Sequence, residues 1–252
     1  MPRFGLIGHP LTHSFSKTYF TEKFEKEQID ACYENYDLKD ISEIRQILIK
    51  HLDLKGFNVT IPYKEAIIPY LDEIDETAKE VGAVNTVKIL EDRTIIGYNT
   101  DILGFERLTS LLPPFTFNLS PFTSPLSLIL GTGGASKAVQ YVLSKHHLPY
   151  HLVSRDPQKG DYTYQSLMPE IIQDHLLIIN ATPVGMAPHI EESPLIPYEA
   201  ISPNHILIDL IYNPEETQFL QQGKRQGAKT FNGLTMLHAQ AEASWTIWNT
   251  NE

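Results

Sequence analysis

The chain is poor in the features that mark a secreted, membrane-bound or nucleic-acid-binding protein. It holds one cysteine, Cys32, so no intramolecular disulfide can form and a disulfide-stapled secreted fold is excluded. It lacks any Lys/Arg block, and a formal charge of −11 would repel a phosphate backbone, which excludes nucleic acid as a partner. No apolar stretch approaches the ~18 residues of a membrane span. The opening Met1-Pro2-Arg3-Phe4-Gly5 runs only briefly apolar before Gly8-His9-Pro10, too short for a signal peptide. There is no H-E-x-x-H and no cysteine cluster. His9 and His13 lie a helical turn apart, but Pro10 interrupts any helix joining them, so capping or solvation is expected and a metal is not. The composition predicts a soluble, cytoplasmic protein that acts on something small.

What is present is an alternation of strands and helices. The 252 residues suffice for one large domain or two small ones. Short apolar runs bounded by Gly, Pro or Asn alternate with segments of helical period, the signature of an α/β fold. Phe4 to Ile7 reads as an opening strand, followed by a helix after Ser16 with Tyr19, Phe20 and Phe24 on one face. Ala31 to Tyr36 alternates weakly, Ile41 to Lys50 is helical, and Gly56 to Thr60 is strand-like. Pro62 suits the first turn of a further helix, where its missing N–H costs nothing. Val84 to Leu90 and Thr94 to Tyr98 form a hairpin around Glu91-Asp92-Arg93, and this half ends near Thr100. Leu111 to Pro125 is an irregular, proline-rich connection. Beyond it, strands are expected at Leu126 to Leu130, His151 to Ser154, Leu176 to Asn180 and Ile206 to Leu210. The last two are almost wholly apolar, as parallel strands covered on both faces should be. Leu237, Ala241, Trp245 and Trp248 make one stripe of a C-terminal helix.

The first chemical signal is Gly131-Thr132-Gly133-Gly134-Ala135, set between a strand and an amphipathic helix whose apolar face is Ala135, Ala138, Val139, Val142 and Leu143. Glycines there allow a tight turn and let backbone N–H groups reach a pyrophosphate at the positive end of the helix. The end of the second strand separates NAD from NADP. It carries Ser154-Arg155 with Lys159 close by, and the Arg155 fork suits a ribose 2′-phosphate. Asp156 is the dissonant residue, and Arg155 as a solvated strand end is the bland alternative.

The second signal lies upstream. Asn58-Val59-Thr60-Ile61-Pro62-Tyr63-Lys64 places a lysine just past a proline, where a helix dipole gives a cation nothing. Gly82-Ala83-Val84-Asn85-Thr86 and Gly97-Tyr98-Asn99-Thr100-Asp101 set short polar side chains at strand ends, and Ser14-Phe15-Ser16 precedes the first helix. Helix capping for the serines and turn chemistry for Asn99 and Asp101 are the bland alternatives.

Together these segments closely resemble the shikimate dehydrogenase family. The matching pieces are Gly8-His9-Pro10 with Ser14 and Ser16, NVTIPYK, GAVNT, GYNTD, the GTGGA turn, NATPVGM at Asn180 to Met186, DLIYNP at Asp209 to Pro214 and NGLTMLHAQA at Asn232 to Ala241. They follow family order from end to end. The resemblance implies an N-terminal α/β substrate domain (1–101 with 234–252), a Rossmann-type NADP domain (102–233) and a C-terminal helix returning to the first. It implies reversible NADP-dependent reduction of 3-dehydroshikimate to shikimate in chorismate and aromatic amino acid biosynthesis, with the substrate in a cleft between domains. Quinate/shikimate dehydrogenase using NAD is the nearest alternative; a non-catalytic dinucleotide sensor would lack both Lys64 and Asp101.

Carried over residue by residue, Lys64 matches the catalytic lysine and Asp101 its partner carboxylate. Ser14 and Ser16 fall where the substrate carboxylate binds, with Thr60 beside them. Asn85 and Gln240 match residues that hold ring hydroxyls, and Tyr212 is a further substrate contact. Gly131, Thr132, Gly133, Gly134 and Ala135 match the pyrophosphate turn, while Ser154, Arg155 and Lys159 fall at the adenosine phosphate. Met186, Ile211 and Gly233 fall near the nicotinamide. The resemblance leaves monomer and homodimer equally open. Lys17 replaces a usual proline and Asp156 a usual small polar residue. Reduction of a ketone fits these groups, because the alkoxide that develops needs a nearby cation or proton donor.

Overall fold

The computed structural model describes residues 1–11, 14–112 and 126–250. His13 and nearly all of the connection expected at Leu111 to Pro125 lie outside the described residues. The chain divides into two compact units, Met1–Thr100 with Ala241–Glu252, and Asp101–Gln240.

The first unit is built on a mixed sheet of β1 (Arg3–Gly8), β2 (Cys32–Asp37), β3 (Leu54–Val59), β4 (Glu73–Ile74), β5 (Thr86–Ile89) and β6 (Ile95–Tyr98), in the order β2-β1-β3-β5-β6-β4. β1 runs parallel to both β2 and β3, whereas β5 is antiparallel to β3 and β6, which makes β5 and β6 the expected hairpin. Side chains alternate across β1. Ile7 joins Phe57, Val59, Val87 and Ile89 in one core, while Phe4 and Leu6 face a second core with Phe20 and Phe24 of helix α1 (Phe15–Lys26). Helix α2 (Ile44–Lys50) begins after a 3-10 turn over Ile41–Glu43, where Asp40 and Glu43 form a reciprocal capping box. Asp75 caps α3 (Glu76–Val81), an element with no clear apolar period in the sequence.

One expectation fails here. Pro62 does not open a helix: residues 61–67 are turns, followed by a 3-10 turn at Ile68–Tyr70. The reason is pairing across the fold. The Lys64 carbonyl accepts from the Val84 N–H at 2.7 Å, and the buried Tyr63 hydroxyl donates to the Leu38 carbonyl at 2.6 Å. These bonds anchor the segment to the sheet instead of to its own next turn.

The second unit begins with α4 (Asp101–Thr109) and holds a six-stranded, wholly parallel sheet. Its strands are β7 (Ser127–Leu130), β8 (Tyr150–Ser154), β9 (Tyr162–Thr163), β10 (Leu177–Asn180), β11 (Ile206–Asp209) and β12 (Lys229–Phe231), in the order β12-β11-β10-β7-β8-β9. Helices α5 (Gly134–Lys145), α6 (Pro169–Asp174) and α7 (Gln218–Arg225) provide the crossovers. Every residue of β7, β10 and β11 is buried, which explains their unbroken apolar runs. β7 pairs with β8 on one side and β10 on the other, so strand order reverses at β7. Ligands of such sheets sit beyond the carboxyl ends at that reversal.

The last helix, α8 (Leu234–Asn249), takes part in both units. Its start packs on α4, where Gly104 admits Met236 and Gln240; a Cβ on Gly104 would lie 2.7 Å from the Met236 carbonyl oxygen. Farther on, Ala241 and Trp248 are buried in the Phe4–Phe20–Phe24 core with Trp245 against it. Trp248 stacks on Phe4 at 4.8 Å and donates its indole N–H to the Val87 carbonyl at 2.9 Å. Truncating a buried Trp of this kind costs about 3–5 kcal/mol.

Candidate active site

In the first unit the predicted polar residues converge because of sheet register. Ile7 pairs with Val59, Asn58 with Thr86, and Thr86 with Tyr98. Thr60, Asn85 and Asn99 each lie one residue beyond a paired position, on the same edge of the sheet. Thr60 donates its N–H to the Ile7 carbonyl at 2.9 Å, and Gly8 is a glycine because a Cβ there would strike the Thr60 methyl. Half-buried Lys64 follows in the turn just described.

Ser14 is the N-cap of α1, its Oγ accepting from the Lys17 N–H at 3.1 Å. The bland capping role and a binding role are compatible, since the N-terminal end of a twelve-residue helix favours an anion. Ser16 is buried in the first turn of α1, placed to donate to the Tyr33 phenol oxygen. Burial raises the Tyr33 phenol well above its ordinary range. Tyr33 in turn donates to Asn58 Oδ1 at 2.9 Å. Asn58 Nδ2 reaches Ser244 Oγ at 2.9 Å, Thr86 Oγ1 at 3.1 Å and the Asn85 carbonyl at 3.3 Å. Ser244 also meets Thr86 at 2.7 Å and Thr100 at 3.2 Å. Asn85 Oδ1 accepts the Thr100 N–H at 2.7 Å and its hydroxyl at 3.1 Å, which fixes the amide. A continuous buried network therefore runs from Ser16 to Asn85. Tyr33, Asn58 and Ser244 complete this network, and the sequence reading did not single them out. The available signal for Ser244 was a polar residue between Ala241 and Trp248 on an apolar stripe.

In the second unit, Asp101 is buried at the first position of α4, where the helix dipole favours a carboxylate. Gln240 is buried in α8 and donates Nε2 to the Leu237 carbonyl at 3.0 Å. Tyr212 is half-buried between β11 and α7.

The glycine turn meets the geometric demands of a pyrophosphate. Gly131 has φ +102°, and a Cβ there would lie 2.8 Å from the Thr182 methyl, so no other residue fits. Gly133 has ordinary backbone angles, yet its absent Cβ faces nothing within 4 Å. Protein packing does not require this glycine, and the space beside it can admit the close approach of a ligand. It caps α5 without a side-chain hydrogen bond, leaving first-turn N–H groups facing that open ground, with Thr132, Gly134 and Ala135 half-buried around it.

At the end of β8, Ser154 is buried and its Oγ accepts from the Asp156 N–H at 3.1 Å. The dissonant Asp156 is a turn former, with Oδ1 accepting the Gln158 N–H at 3.0 Å. Arg155 and Lys159 are exposed on that turn. At the opposite side of the switch point Ile211 is buried and its carbonyl accepts from the Gly233 N–H at 3.0 Å. Met186 is exposed on the loop after β10, which is tied to the next loop by the Ala187 N–H on the Asn213 carbonyl at 3.1 Å.

His9 Nδ1 lies 2.6 Å from Asp37 Oδ1, and that bond holds the exposed Asp37 carboxyl below its ordinary value. Among the described residues no helix is long and apolar enough to cross a membrane.

A parallel doubly wound sheet, a glycine turn opening a helix at its switch point and a polar edge on a separate α/β unit define a two-unit, nucleotide-dependent α/β oxidoreductase. Known proteins narrow this class. The family model of the shikimate dehydrogenase substrate binding domain matches residues 6–87. The NADP(+) shikimate dehydrogenase of Methanococcus maripaludis is 38% identical over 97% of this chain and 90% of its own length. Shikimate dehydrogenase 1 of Peptoclostridium difficile superposes with TM-score 0.85 at 38% identity, covering 100% of this chain and 93% of that one. Shikimate 5-dehydrogenase of Thermus thermophilus, solved with NADP(H) and shikimate, gives 0.83 at 31% identity, with 99% and 94% covered. The chain belongs to the shikimate dehydrogenase family.

Proposed function

We propose that the chain catalyses the reversible NADP-dependent reduction of 3-dehydroshikimate to shikimate, a step of chorismate and aromatic amino acid biosynthesis. Family membership over the full chain supports the reaction, and the open ground beyond Gly133 is the observation that carries the cofactor. NADPH, when bound, supplies the hydride. Gly131 to Ala135 receive the pyrophosphate on backbone N–H groups, and Arg155 with Lys159 takes the 2′-phosphate. Asp156, engaged with the Gln158 N–H, shapes their turn. Met186, Ile211 and Gly233 border the nicotinamide.

On the substrate, Ser14, Ser16 and Thr60 hold the carboxylate, and Asn85, Gln240 and Tyr212 hold ring hydroxyls. Lys64 is the cation and proton donor for the oxygen that becomes an alcohol, and Asp101 is the carboxylate serving the same substrate. Short side chains with fixed donors and acceptors suit a ring bearing several hydroxyls, because a missing partner is costly there. The single half-buried cysteine suits the reducing cytoplasm, where we place the enzyme.

The test is a four-way absorbance assay at the nicotinamide band, with shikimate or quinate against NADP or NAD. Shikimate with NADP should give the highest kcat/KM. A preference for quinate with NAD would replace this reading with that of a quinate dehydrogenase.

A further inference from the structure

β11 ends on an acid that the roles above leave unused. Asp209 is completely buried at the carboxyl end of an otherwise apolar strand. Its Oδ1 accepts from Asn180 Nδ2 and from the Ile211 N–H, both at 3.0 Å, and its Oδ2 accepts from the Thr217 hydroxyl at 2.6 Å. All three partners donate, so the arrangement fits a carboxylate and has no place for an acid proton.

Each donor belongs to a different part of the switch-point edge. Asn180 ends β10, and its Oδ1 takes the Thr182 N–H at 3.1 Å and the Thr182 hydroxyl at 2.6 Å. Thr182 Oγ1 then takes the Val184 N–H at 3.2 Å, which shapes the loop leading to Met186, and its methyl lies against Gly131 of the glycine turn. Ile211 opens the loop after β11. Thr217 caps α7, its Oγ1 accepting from the Leu220 N–H.

We infer that Asp209 is a positioning residue, whose carboxylate fixes the two loops bearing Met186 and Ile211 and thereby the seat of the nicotinamide without touching it. This rests on those two residues bordering the nicotinamide, as proposed above.

Burial pushes the Asp209 carboxyl up, and the three donors pull it back only in part, to about 6. Tyr198 is the titratable group facing it, a phenol itself raised by burial and by the Asp209 charge, with its hydroxyl on the Pro194 carbonyl at 2.8 Å. Beside α7, Glu216 and Lys224 are paired with each other at 3.0 Å at the surface. As pH falls through about 6 Asp209 gains a proton, one of its three donors must let go, and the loops loosen.

The test uses the full-length enzyme with Asp209→Asn and Thr217→Val. Asp209→Asn should lower saturated kcat roughly 10–10²-fold, the scale of a small misplacement of reacting groups. Its affinity for adenosine 2′,5′-bisphosphate should hold within about 3-fold, because the groups proposed for the 2′-phosphate lie elsewhere. The acidic limb of the kcat–pH profile should disappear. Thr217→Val deletes one donor to the carboxylate and should move that limb to higher pH. NADPH fluorescence should shift in Asp209→Asn relative to wild type, a readout independent of substrate. Unchanged kcat, limb and nicotinamide emission in both variants, with only a lower unfolding midpoint, would overturn the inference. Wild type that binds NADPH but does not oxidise shikimate with NADP would instead refute the substrate reading, and the emission test would still decide the role of Asp209.

Discussion

Ser244→Ala probes the buried network with the smallest change. The alanine removes a hydroxyl bonded to Asn58 at 2.9 Å, Thr86 at 2.7 Å and Thr100 at 3.2 Å. Asn58 keeps Thr86 and the Asn85 carbonyl, so its amide is not stranded. The two short bonds, to Asn58 and Thr86, dominate the loss at about 0.5–1.5 kcal/mol net each, or about 2 kcal/mol together, with the longer Thr100 contact adding little. Both tryptophans, Trp245 and Trp248, lie in the core of the first unit, so their fluorescence reports its unfolding. With a urea slope of about 2 kcal/mol/M, the midpoint should fall by about 1 M. Thr100 holds the Asn85 amide, so its displacement should raise KM for shikimate roughly 3–10-fold, about 1 kcal/mol of lost binding. An unchanged midpoint together with an unchanged KM would refute the claim that Ser244 braces Asn85.

Three further outcomes follow from the nucleotide side. Arg155→Ala should raise KM for NADP about 10–10²-fold, the worth of a charge-assisted phosphate contact, and leave NAD within about 2-fold; equal effects would remove Arg155 from the 2′-phosphate. Gly133→Ala should change the unfolding free energy by no more than about 1 kcal/mol, the worth of an N-cap preference, since its Cβ meets nothing, yet weaken NADP at least about 10-fold; unaltered binding would mean no pyrophosphate lies there. Because Asp209 titrates at about 6 in the fold against an ordinary 3.8, the native state holds its proton more tightly. That contribution, about 2–3 kcal/mol, is complete below about pH 4 and is lost as pH rises through 6. Urea unfolding by circular dichroism should show this slope in wild type and a flatter one in Asp209→Asn.

Local patterns carry much of the fold. The apolar runs Leu177–Asn180 and Ile206–Asp209 and the face Ala138, Val139, Val142 and Leu143 announce their elements because both strand faces and one helix stripe are buried. Helices α3 and α7 are illegible in the sequence because they are short, at six and eight residues, and polar over most of their surface. The turn at Lys64 reads as helix because its determining bonds, to Val84 and Leu38, are distant in sequence. The same limit hides the network around Asn58, whose partners Tyr33, Thr86 and Ser244 come from separate stretches of the chain. Besides the polar Ser244 on its apolar stripe, the strand-ending acid of Ile206–Asp209 offers a local sign, a charge where a covered strand has no water.

The proposed role of Lys64 as proton donor stands or falls on the turnover of Lys64→Ala with shikimate and NADP both saturating. General acid–base groups contribute ~10²–10⁴-fold, so kcat should fall by at least about 10²-fold while the dissociation constants of shikimate and NADP stay within about 10-fold. Turnover near the wild-type value would take Lys64 out of the chemistry.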